Sequence, residues 1–291
     1  MAVRKLLATL GLLAAPPLGL GYAFESLVRR NVFRTGPYER GAPEAIGVAF
    51  EEARFWAADG QELTGWLFHG GPSLEGPATV LFMHGTSYNA SDMWATEERA
   101  QLFGGFLRSL GCRFFVFDYR GYGPNGGSPS EQGTYLDAEG ALAYLHNRPD
   151  VDPARIVFYG FSLGSGVAVE LALREPGAGL VLRAPFTSIR DLIVDRYPPL
   201  RRVLALTPWL PFTRYGSAAK ISRVPIPVLI MHGDADESVP QWMGRRLYEL
   251  APEPKRFVSF PGAGHQDFPL GLMVPAIRGF LEETAGAPAQ P

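Results

Sequence analysis

The sequence predicts one doubly wound α/β domain that follows a short hydrophobic segment. Its 291 residues fit a single domain of this class, which commonly runs to about 250 residues. Hydrophobic residues make up 46% of the chain and charged residues 19%, so a sizeable core can form. Short apolar runs alternate with helical patterns along the chain, and this alternation is typical of a parallel sheet covered by helices.

Charge and cysteine content exclude three kinds of protein. A chain with a net charge of −2 does not have the broad positive surface of a nucleic-acid-binding protein. We therefore expect no nucleic-acid partner. Cys112 is the single cysteine, which excludes an intramolecular disulfide framework and a Cys-rich zinc site.

The N-terminal segment has three possible interpretations. Residues 6–24 carry no charge and are close to the about 20 residues that span a bilayer as a helix. Pro16 and Pro17 interrupt this stretch, and Gly21 and Ala23 place small residues at −3 and −1 of a possible cleavage site. An uncleaved membrane anchor is the favoured interpretation, ahead of a cleaved signal peptide and a buried N-terminal helix.

These observations divide the chain into two parts. We predict that residues 1–34 form a hydrophobic anchor or signal segment and that residues 35–291 form the α/β domain. The protein is then membrane-associated through a single N-terminal segment, with a secreted or periplasmic location after cleavage as the alternative. Basic residues lie on both sides of the segment, so its orientation and the side of the membrane stay open.

Eight apolar runs predict the strands, and the first two surround the hairpin turn Ala58-Asp59-Gly60. The later runs are continuously apolar, which suits strands that are buried on both faces of a parallel sheet. The predicted strands are residues 51–57, 63–68, 78–83, 113–117, 156–159, 180–182, 228–231 and 257–260. The predicted helices are residues 96–110, 133–147, 163–174, 241–250 and 270–283.

One connection is much longer than the pattern requires. About 45 residues separate the strand at 180–182 from the strand at 228–231, whereas such connections usually have about 2 to 6 residues. The connection is rich in proline and aromatic residues. We predict a lid insertion at about residues 185–222, made of one or two short helices, with an ordinary excursion packed on the sheet edge as the alternative.

A candidate nucleophile lies between a predicted strand and a predicted helix. Gly160-Phe161-Ser162-Leu163-Gly164 matches the pattern G-x-S-x-G. The motif alone has little specificity, but the strand before it and the helical pattern after it are the context that this motif requires. Ser162 would then project at the carboxyl edge of the sheet and at a helix N-terminus, where developing negative charge is stabilised.

A serine hydroxyl needs a base, and the base needs an acid to orient it. His265 is the one histidine that follows the last predicted strand, and it lies in a glycine-rich loop. Asp234, Asp236 and Glu237 follow the strand at 228–231, which fits the chain order serine, acid, histidine. The residues themselves do not choose among these three carboxylates.

Acyl transfer also requires hydrogen-bond donors for the oxyanion. One expected donor is the backbone N–H of Leu163, the residue after the nucleophile. The other comes from the loop that begins with His84-Gly85, where we assign Thr86, with Ser87 as the competing choice.

Aromatic residues near these motifs suggest an apolar acyl pocket. Tyr88 and Phe161 are the predicted substrate contacts, and Trp94 belongs to the same set. Core packing explains these side chains equally well.

Several motifs in sequence order resemble one known family. They occupy residues 84–86, 118–123, 127–131, 137–138, 160–164, 184–188, 232–240 and 262–265. From about residue 50 to residue 281 the chain resembles the α/β-hydrolases, and more closely the BEM46-like serine hydrolases, which are related to mammalian ABHD-type enzymes. The resemblance implies an α/β-hydrolase fold, with a mostly parallel central sheet, helices on both faces and a small lid insertion.

The resemblance also implies a function. It makes Asp236 the acid of a triad with Ser162 and His265, and it implies a carboxylesterase or lipase-like enzyme that forms an acyl-enzyme. A small-molecule or lipid acyl substrate is expected, with no metal and no organic cofactor. A peptidase, an amidase or an acyl-protein thioesterase of the same fold is the alternative, and a catalytically silent membrane-tethered binding protein is a further one. An N-terminal membrane anchor is common in similar proteins, while the oligomeric state is left open.

Overall fold

A computed structural model describes residues 17–36, 38–39, 41–70, 78–87, 89–206 and 214–286. These residues contain an eight-stranded sheet with the strand order β1-β2-β4-β3-β5-β6-β7-β8. Its strands are β1 (Phe50–Trp56), β2 (Glu62–His69), β3 (Thr79–Met83), β4 (Arg113–Phe117), β5 (Ile156–Phe161), β6 (Gly179–Arg183), β7 (Val228–Gly233) and β8 (Lys255–Phe260). The strand β2 pairs antiparallel with β1 and β4, and all other pairs are parallel. The predicted hairpin and mostly parallel sheet are confirmed.

Helices connect the strands and cover the sheet. They are α1 (Pro17–Val32), α2 (Glu97–Leu110), α3 (Glu131–His146), α4 (Leu163–Arg174), α5 (Ile189–Arg196), α6 (Leu200–Leu206), α7 (Gln241–Leu250) and α8 (Leu270–Ala285). Polar side chains cap several of their N-termini. For example, Ser130 Oγ accepts a hydrogen bond from the N–H of Gly133 at the start of α3. The helix α3 therefore begins two residues earlier than its apolar pattern predicts.

The core consists of two clusters, one on each face of the sheet. Leu81 and Met83 of β3 belong to one cluster, while Val80 and Phe82 of the same strand belong to the other. Such alternation follows from the two-residue period of a strand. The helices α3, α4 and α7 contribute to the first cluster, and α2 and α8 contribute to the second. The predicted α/β-hydrolase architecture, with helices on both faces, is confirmed.

The long connection after β6 contains two short helices, α5 and α6, followed by residues 207–213, which lie outside the described part. The two ends of the connection lie side by side. The N–H of Ile189 donates to the carbonyl of Arg214, and the N–H of Ala218 donates to the carbonyl of Thr187. The connection therefore leaves and rejoins the domain at one place, as an insertion does. A lid function for it stays a prediction.

The helix α1 packs against the domain. Val28, Val32 and Phe33 are buried in the first core cluster, on one side of the helix and at its end. No helix in the described ranges is both long and apolar enough to cross a membrane. Residues 6–16 of the predicted membrane segment lie outside those ranges, so the anchor and the division at residues 34 and 35 stay predictions.

Candidate active site

Ser162 occupies a sharp turn between β5 and α4. Its backbone has φ 51° and ψ −116°, a conformation that non-glycine residues rarely adopt. The N–H of Ser162 donates to the carbonyl of Arg183 at 3.0 Å, which ties the turn to the end of β6. The carbonyl of Ser162 accepts hydrogen bonds from the backbone N–H of Ser165 at 2.9 Å and from its hydroxyl at 2.6 Å. Main-chain and side-chain bonds on both sides therefore hold the strained turn in place.

The two glycines of the motif allow this turn to pack closely. A Cβ atom on Gly160 would collide with the carbonyl oxygen of Gly164, and a Cβ atom on Gly164 would collide with that of Met83. Glycine is therefore required at both positions by the approach of main-chain atoms.

The structure brings the three predicted triad residues together. His265 Nε2 lies 3.0 Å from Ser162 Oγ, and His265 Nδ1 lies 2.7 Å from Asp236 Oδ2. Asp234 has a different partner: its Oδ1 accepts the N–H of Gly262 at 2.7 Å. Among the candidate acids, the geometry places Asp236 in contact with the imidazole.

Several donors surround the Asp236 carboxylate. Its Oδ1 accepts the backbone N–H groups of Ser238 and Val239, each at 2.8 Å. Burial of the carboxyl raises its pKa, but the contacts with His232, His265 and the N–H of Val239 outweigh burial, so the pKa of Asp236 lies below its ordinary value. The carboxylate is therefore ionised at neutral pH and can accept from the Nδ1–H of the imidazole.

His232 is a contact of the site that the sequence did not assign to it. The side chain is fully buried at the end of β7, with Nε2 2.8 Å from the carbonyl oxygen of Val239 and 3.5 Å from Asp236 Oδ2. It fixes the loop that carries Asp236. Its position at the end of a buried strand, four residues before the acid, was the available signal.

The loop after β3 lies against Ser162. A Cβ atom on Gly85 would lie 3.4 Å from Ser162 Cβ and 3.2 Å from the ring of Phe161. This close approach leaves little room for a side chain and brings the main chain of the loop beside Ser162.

Hydrogen bonds hold three successive carbonyl groups of this loop. Tyr119 Oη donates to the carbonyl of His84 at 3.3 Å, His84 Nδ1 lies 2.8 Å from that of Gly85, and Tyr122 Oη donates to that of Thr86 at 3.0 Å. The C=O and N–H groups of one planar trans peptide point in opposite directions. The bond from His84 to the Gly85 carbonyl therefore sets the direction of the N–H of Thr86. The sequence missed both tyrosines, although each lies in the block at residues 118–123.

A buried histidine and a buried carboxyl lie behind the same loop. His84 Nε2 is 3.5 Å from Asp118 Oδ1, which accepts the N–H of Ala90 at 2.7 Å. Burial lowers the pKa of His84 to about 4. Burial also raises the pKa of Asp118 to about 7, against the lowering effect of the bond from Ala90. The imidazole of His84 is therefore neutral at neutral pH, and its hydrogen bond to the Gly85 carbonyl places the ring proton on Nδ1.

Of the two predicted substrate contacts, Phe161 lies in the described part of the chain and Tyr88 does not. Phe161 is buried, and its ring centroid lies 5.2 Å from that of the His265 imidazole. The guanidinium of Arg183 lies 4.7 Å from the centroid of Phe161, and its Nη2 donates to the carbonyl of Gln266 at 2.6 Å. Phe161 thus packs beside the imidazole, and a substrate contact for it stays a prediction. Tyr88 lies outside the described residues.

Trp94 and Leu163, two further residues that the sequence singled out, are both buried. Trp94 is buried and packs edge-on against Trp66, with ring centroids 5.3 Å apart, so it belongs to the core. Leu163 is buried as the first residue of α4, directly after Ser162.

Over the ranges that the structure describes, no three His, Cys, Asp or Glu side chains are grouped so as to hold a metal ion.

Comparisons with known proteins agree with this fold. The model of a family described as "Alpha/beta hydrolase family" matches residues 80–216. An uncharacterized protein of Mycobacterium tuberculosis is 45% identical over 232 residues, which cover 78% of this chain and 77% of that protein. Protein bem46 of Schizosaccharomyces pombe is 31% identical over 266 residues, which cover 89% of this chain and 86% of that protein.

The chain belongs to the alpha/beta hydrolase family.

The match to bem46 confirms the resemblance that the sequence motifs indicated. Among solved structures, the Pyrococcus furiosus esterase Pf2001 superimposes on this alpha/beta hydrolase with a TM-score of 0.68. The alignment covers 88% of this chain and 100% of that one at 19% sequence identity, which shows a common fold.

Proposed function

We propose that this alpha/beta hydrolase is a serine carboxylic ester hydrolase that acts through an acyl-enzyme. The observation that carries the proposal is the chain of hydrogen bonds from Asp236 through His265 to Ser162. Ser162 has the strained backbone of a nucleophile at a strand-to-helix turn, which adds support. A buried, ionised Asp236 suits the role of orienting the imidazole and stabilising its charged form.

In the proposed first step, Ser162 Oγ attacks the ester carbonyl carbon while His265 Nε2 accepts the hydroxyl proton. The carbonyl oxygen becomes an oxyanion, and the N–H groups of Thr86 and Leu163 donate to it. When the tetrahedral intermediate collapses, the bond to the leaving alkoxide breaks and His265 returns the proton to it. The products of this step are an alcohol and an acyl ester on Ser162.

In the second step, a water molecule takes the place of the alcohol. His265 accepts a proton from the water, whose oxygen attacks the acyl carbonyl carbon, and the same two N–H groups stabilise the new oxyanion. Collapse of this intermediate releases the carboxylic acid, and the proton on His265 returns to Ser162 Oγ. No redox or metal chemistry is needed for this cycle.

We propose an ester as the scissile group and a small-molecule or lipid acyl chain as the substrate. The structural likeness to the Pyrococcus furiosus esterase supports the ester. The same machinery would accept a thioester or an amide, so the fold by itself does not choose. The predicted N-terminal anchor would place the site beside a membrane, which favours an acyl lipid.

The test is hydrolysis of p-nitrophenyl acyl esters of increasing chain length by the full chain, Ser162→Ala and Ser109→Ala. Ser109 is an exposed serine on α2 and serves as the matched control. We expect kcat of Ser162→Ala to fall by about 10⁴- to 10⁶-fold, because the nucleophile is lost. Ser109→Ala should keep wild-type kcat, and the chain-length optimum measures the acyl pocket. Wild-type turnover by Ser162→Ala, or no turnover of any ester by the folded wild-type protein, would contradict the proposal.

A further inference from the structure

The end of the helix α1 directly contacts the loop of residues 84–87 after β3, which we call the oxyanion loop. The backbone N–H of Arg34, two residues after the helix ends, donates to the carbonyl of Thr86 at 3.3 Å. Tyr122 Oη donates to the same carbonyl at 3.0 Å. One carbonyl oxygen has two lone pairs and can accept both bonds. The carbonyl of a proposed oxyanion residue is therefore held by two groups, one of which belongs to the N-terminal segment.

Several contacts fix the position of α1 relative to this loop. Val28, Val32 and Phe33 bury their side chains in the domain core. Arg29 Nη2 donates to the carbonyl of Pro129 at 2.6 Å, just before α3 begins. These contacts leave the N–H of Arg34 little freedom to move away from Thr86.

A further contact of this region is with Tyr215, which lies at one end of the insertion. The ring of Phe33 packs edge-on against that of Tyr215, with centroids 6.4 Å apart. Tyr215 is fully buried, and its side chain lies against Gly166 of the nucleophile helix α4. The end of α1 thus packs between the oxyanion loop and the residue at the base of the insertion.

Tyr122 is well suited to hold the loop from the other side. Its side chain is buried, and its ring packs edge-on against that of His84, with centroids 5.2 Å apart. Burial raises the pKa of Tyr122, so the hydroxyl stays protonated and remains a donor throughout the neutral range.

We propose that Tyr122 and the main chain of Arg34 form a clamp on the Thr86 carbonyl that positions the oxyanion loop for catalysis. Both are positioning groups, since neither touches the reacting atoms. The proposal rests on the proposed function. It makes the docked N-terminal helix a part of the active site, so that displacing α1 from the domain lowers the catalytic rate.

The physical reason lies in the geometry of the peptide chain. Fixing the Thr86 carbonyl fixes the plane of the Thr86–Ser87 peptide, and the hydrogen bond from His84 fixes the plane of the preceding one. Thr86 lies between these two planes, so its N–H is held from both sides. An oxyanion donor contributes fully only when it is already oriented before charge develops.

The test compares kcat, KM and the pH profile of ester hydrolysis in full-length variants. Arg34→Pro removes the N–H, Arg34→Ala keeps it, and Tyr122→Phe removes only the hydroxyl. Gly36→Pro introduces a proline two positions further on, where a Cβ atom would meet nothing within 4 Å, and is the control. A proline at position 35 would not serve, because it would restrict the backbone of Arg34 itself. Arg34→Pro and Tyr122→Phe should each lower kcat about three- to tenfold, the effect of losing one neutral hydrogen bond. Their KM and the pH dependence of kcat/KM should stay unchanged, because the triad is untouched.

Two further results separate a clamp from a general loss of stability. The double variant should lose more than the product of the two single effects, because either donor alone still restrains the carbonyl. Arg34→Ala should have a higher kcat than Arg34→Pro, because alanine keeps the main-chain N–H that proline lacks. If Arg34→Pro does not fold, Tyr122→Phe still decides the question, since its ring packing is preserved.

Ser162→Ala is measured in the same series. If Ser162→Ala is inactive while Arg34→Pro and Tyr122→Phe keep wild-type kcat, the clamp is overturned and the proposed function stands. Wild-type turnover by Ser162→Ala overturns the proposed function and the clamp together.

Discussion

The loop after β7 carries three acidic side chains, and two of them, Asp234 and Asp236, make different hydrogen bonds. Asp236 contacts His265 Nδ1, whereas Asp234 accepts the N–H of Gly262 and supports the loop. We expect Asp236→Asn to lower kcat by about 10³- to 10⁴-fold, because an amide no longer orients and stabilises the imidazolium. Asp234→Asn is the matched control and should change kcat by less than about threefold, since an amide oxygen still accepts the loop hydrogen bond. Steady-state kinetics of the two variants measures the difference, and equal losses would contradict the assignment.

Two residues of the candidate triad were predictable from recognisable strands, whereas the choice of Asp236 among three carboxylates came from the family resemblance. Ser162 lies in a motif whose strand and helix can be read from the sequence, and His265 follows the last strand. The supporting contacts were not predictable. Tyr122 reaches Thr86 across 36 positions and Arg29 reaches Pro129 across 100, and no local pattern encodes such pairings.

At the scale of elements, the nucleophile turn depends on close packing between α4 and β3. A Cβ atom on Gly164 would meet the carbonyl oxygen of Met83, whereas one on Gly105 in α2 would meet nothing within 4 Å. We expect Gly164→Ala to lower the free energy of unfolding by about 1–3 kcal/mol through overpacking. Gly105→Ala should raise it by about 0.5–1 kcal/mol, because alanine is the better helix former. Chemical denaturation measures both values, and changes of the same sign would argue against the close packing.

The sequence predicted the existence of the core elements better than their ends. Each predicted strand is present, because runs such as residues 78–83 are buried on both faces. The start of α3 was misplaced by two residues, since Ser130 caps the helix before its apolar pattern begins. A buried N-terminal helix was the least favoured of the three interpretations of that segment, yet the end of α1 packs in the core. Its apolar stretch resembled a membrane segment, and its contacts with Thr86 and Tyr215 are long-range.

At the scale of the whole molecule, Asp118 makes stability depend on pH. Its pKa is about 7 in the folded protein, above the about 3.9 of an unfolded chain, so the folded state binds more protons between these values. The contribution of this group to the free energy of unfolding should therefore fall as pH rises from 4 to 7, by on the order of 2–4 kcal/mol, and then level off. His84 acts in the opposite direction over this range, because its pKa is lowered to about 4 in the folded protein.

Asp118→Asn should remove this contribution, because an amide does not titrate while its oxygen still accepts the N–H of Ala90. Urea denaturation of both proteins at a series of pH values measures the two slopes. As pH rises from 4 to 7, the stability of the variant should increase relative to that of the wild type, because the variant lacks the destabilising titration of Asp118. Identical slopes would place the pKa of Asp118 near its ordinary value.

The insertion and α1 meet the α/β domain beside the candidate site. Glu131 at the start of α3 accepts the backbone N–H groups of Arg214 at 2.6 Å and Tyr215 at 2.9 Å, which fixes one end of the insertion. Phe33 of the N-terminal segment packs against the same Tyr215. Elements that are far apart in sequence thus support the region around Ser162.

The most direct measurement of the central claim is to map the site of covalent labelling by an alkyl fluorophosphonate. Intact mass spectrometry of the full chain followed by peptide mapping should find a single adduct, on Ser162. The adduct should be absent in Ser162→Ala, and labelling should be strongly slowed in His265→Ala, because the base activates the hydroxyl. A folded protein that takes up no label, or an adduct on any other residue, would contradict the assignment of Ser162 as the nucleophile.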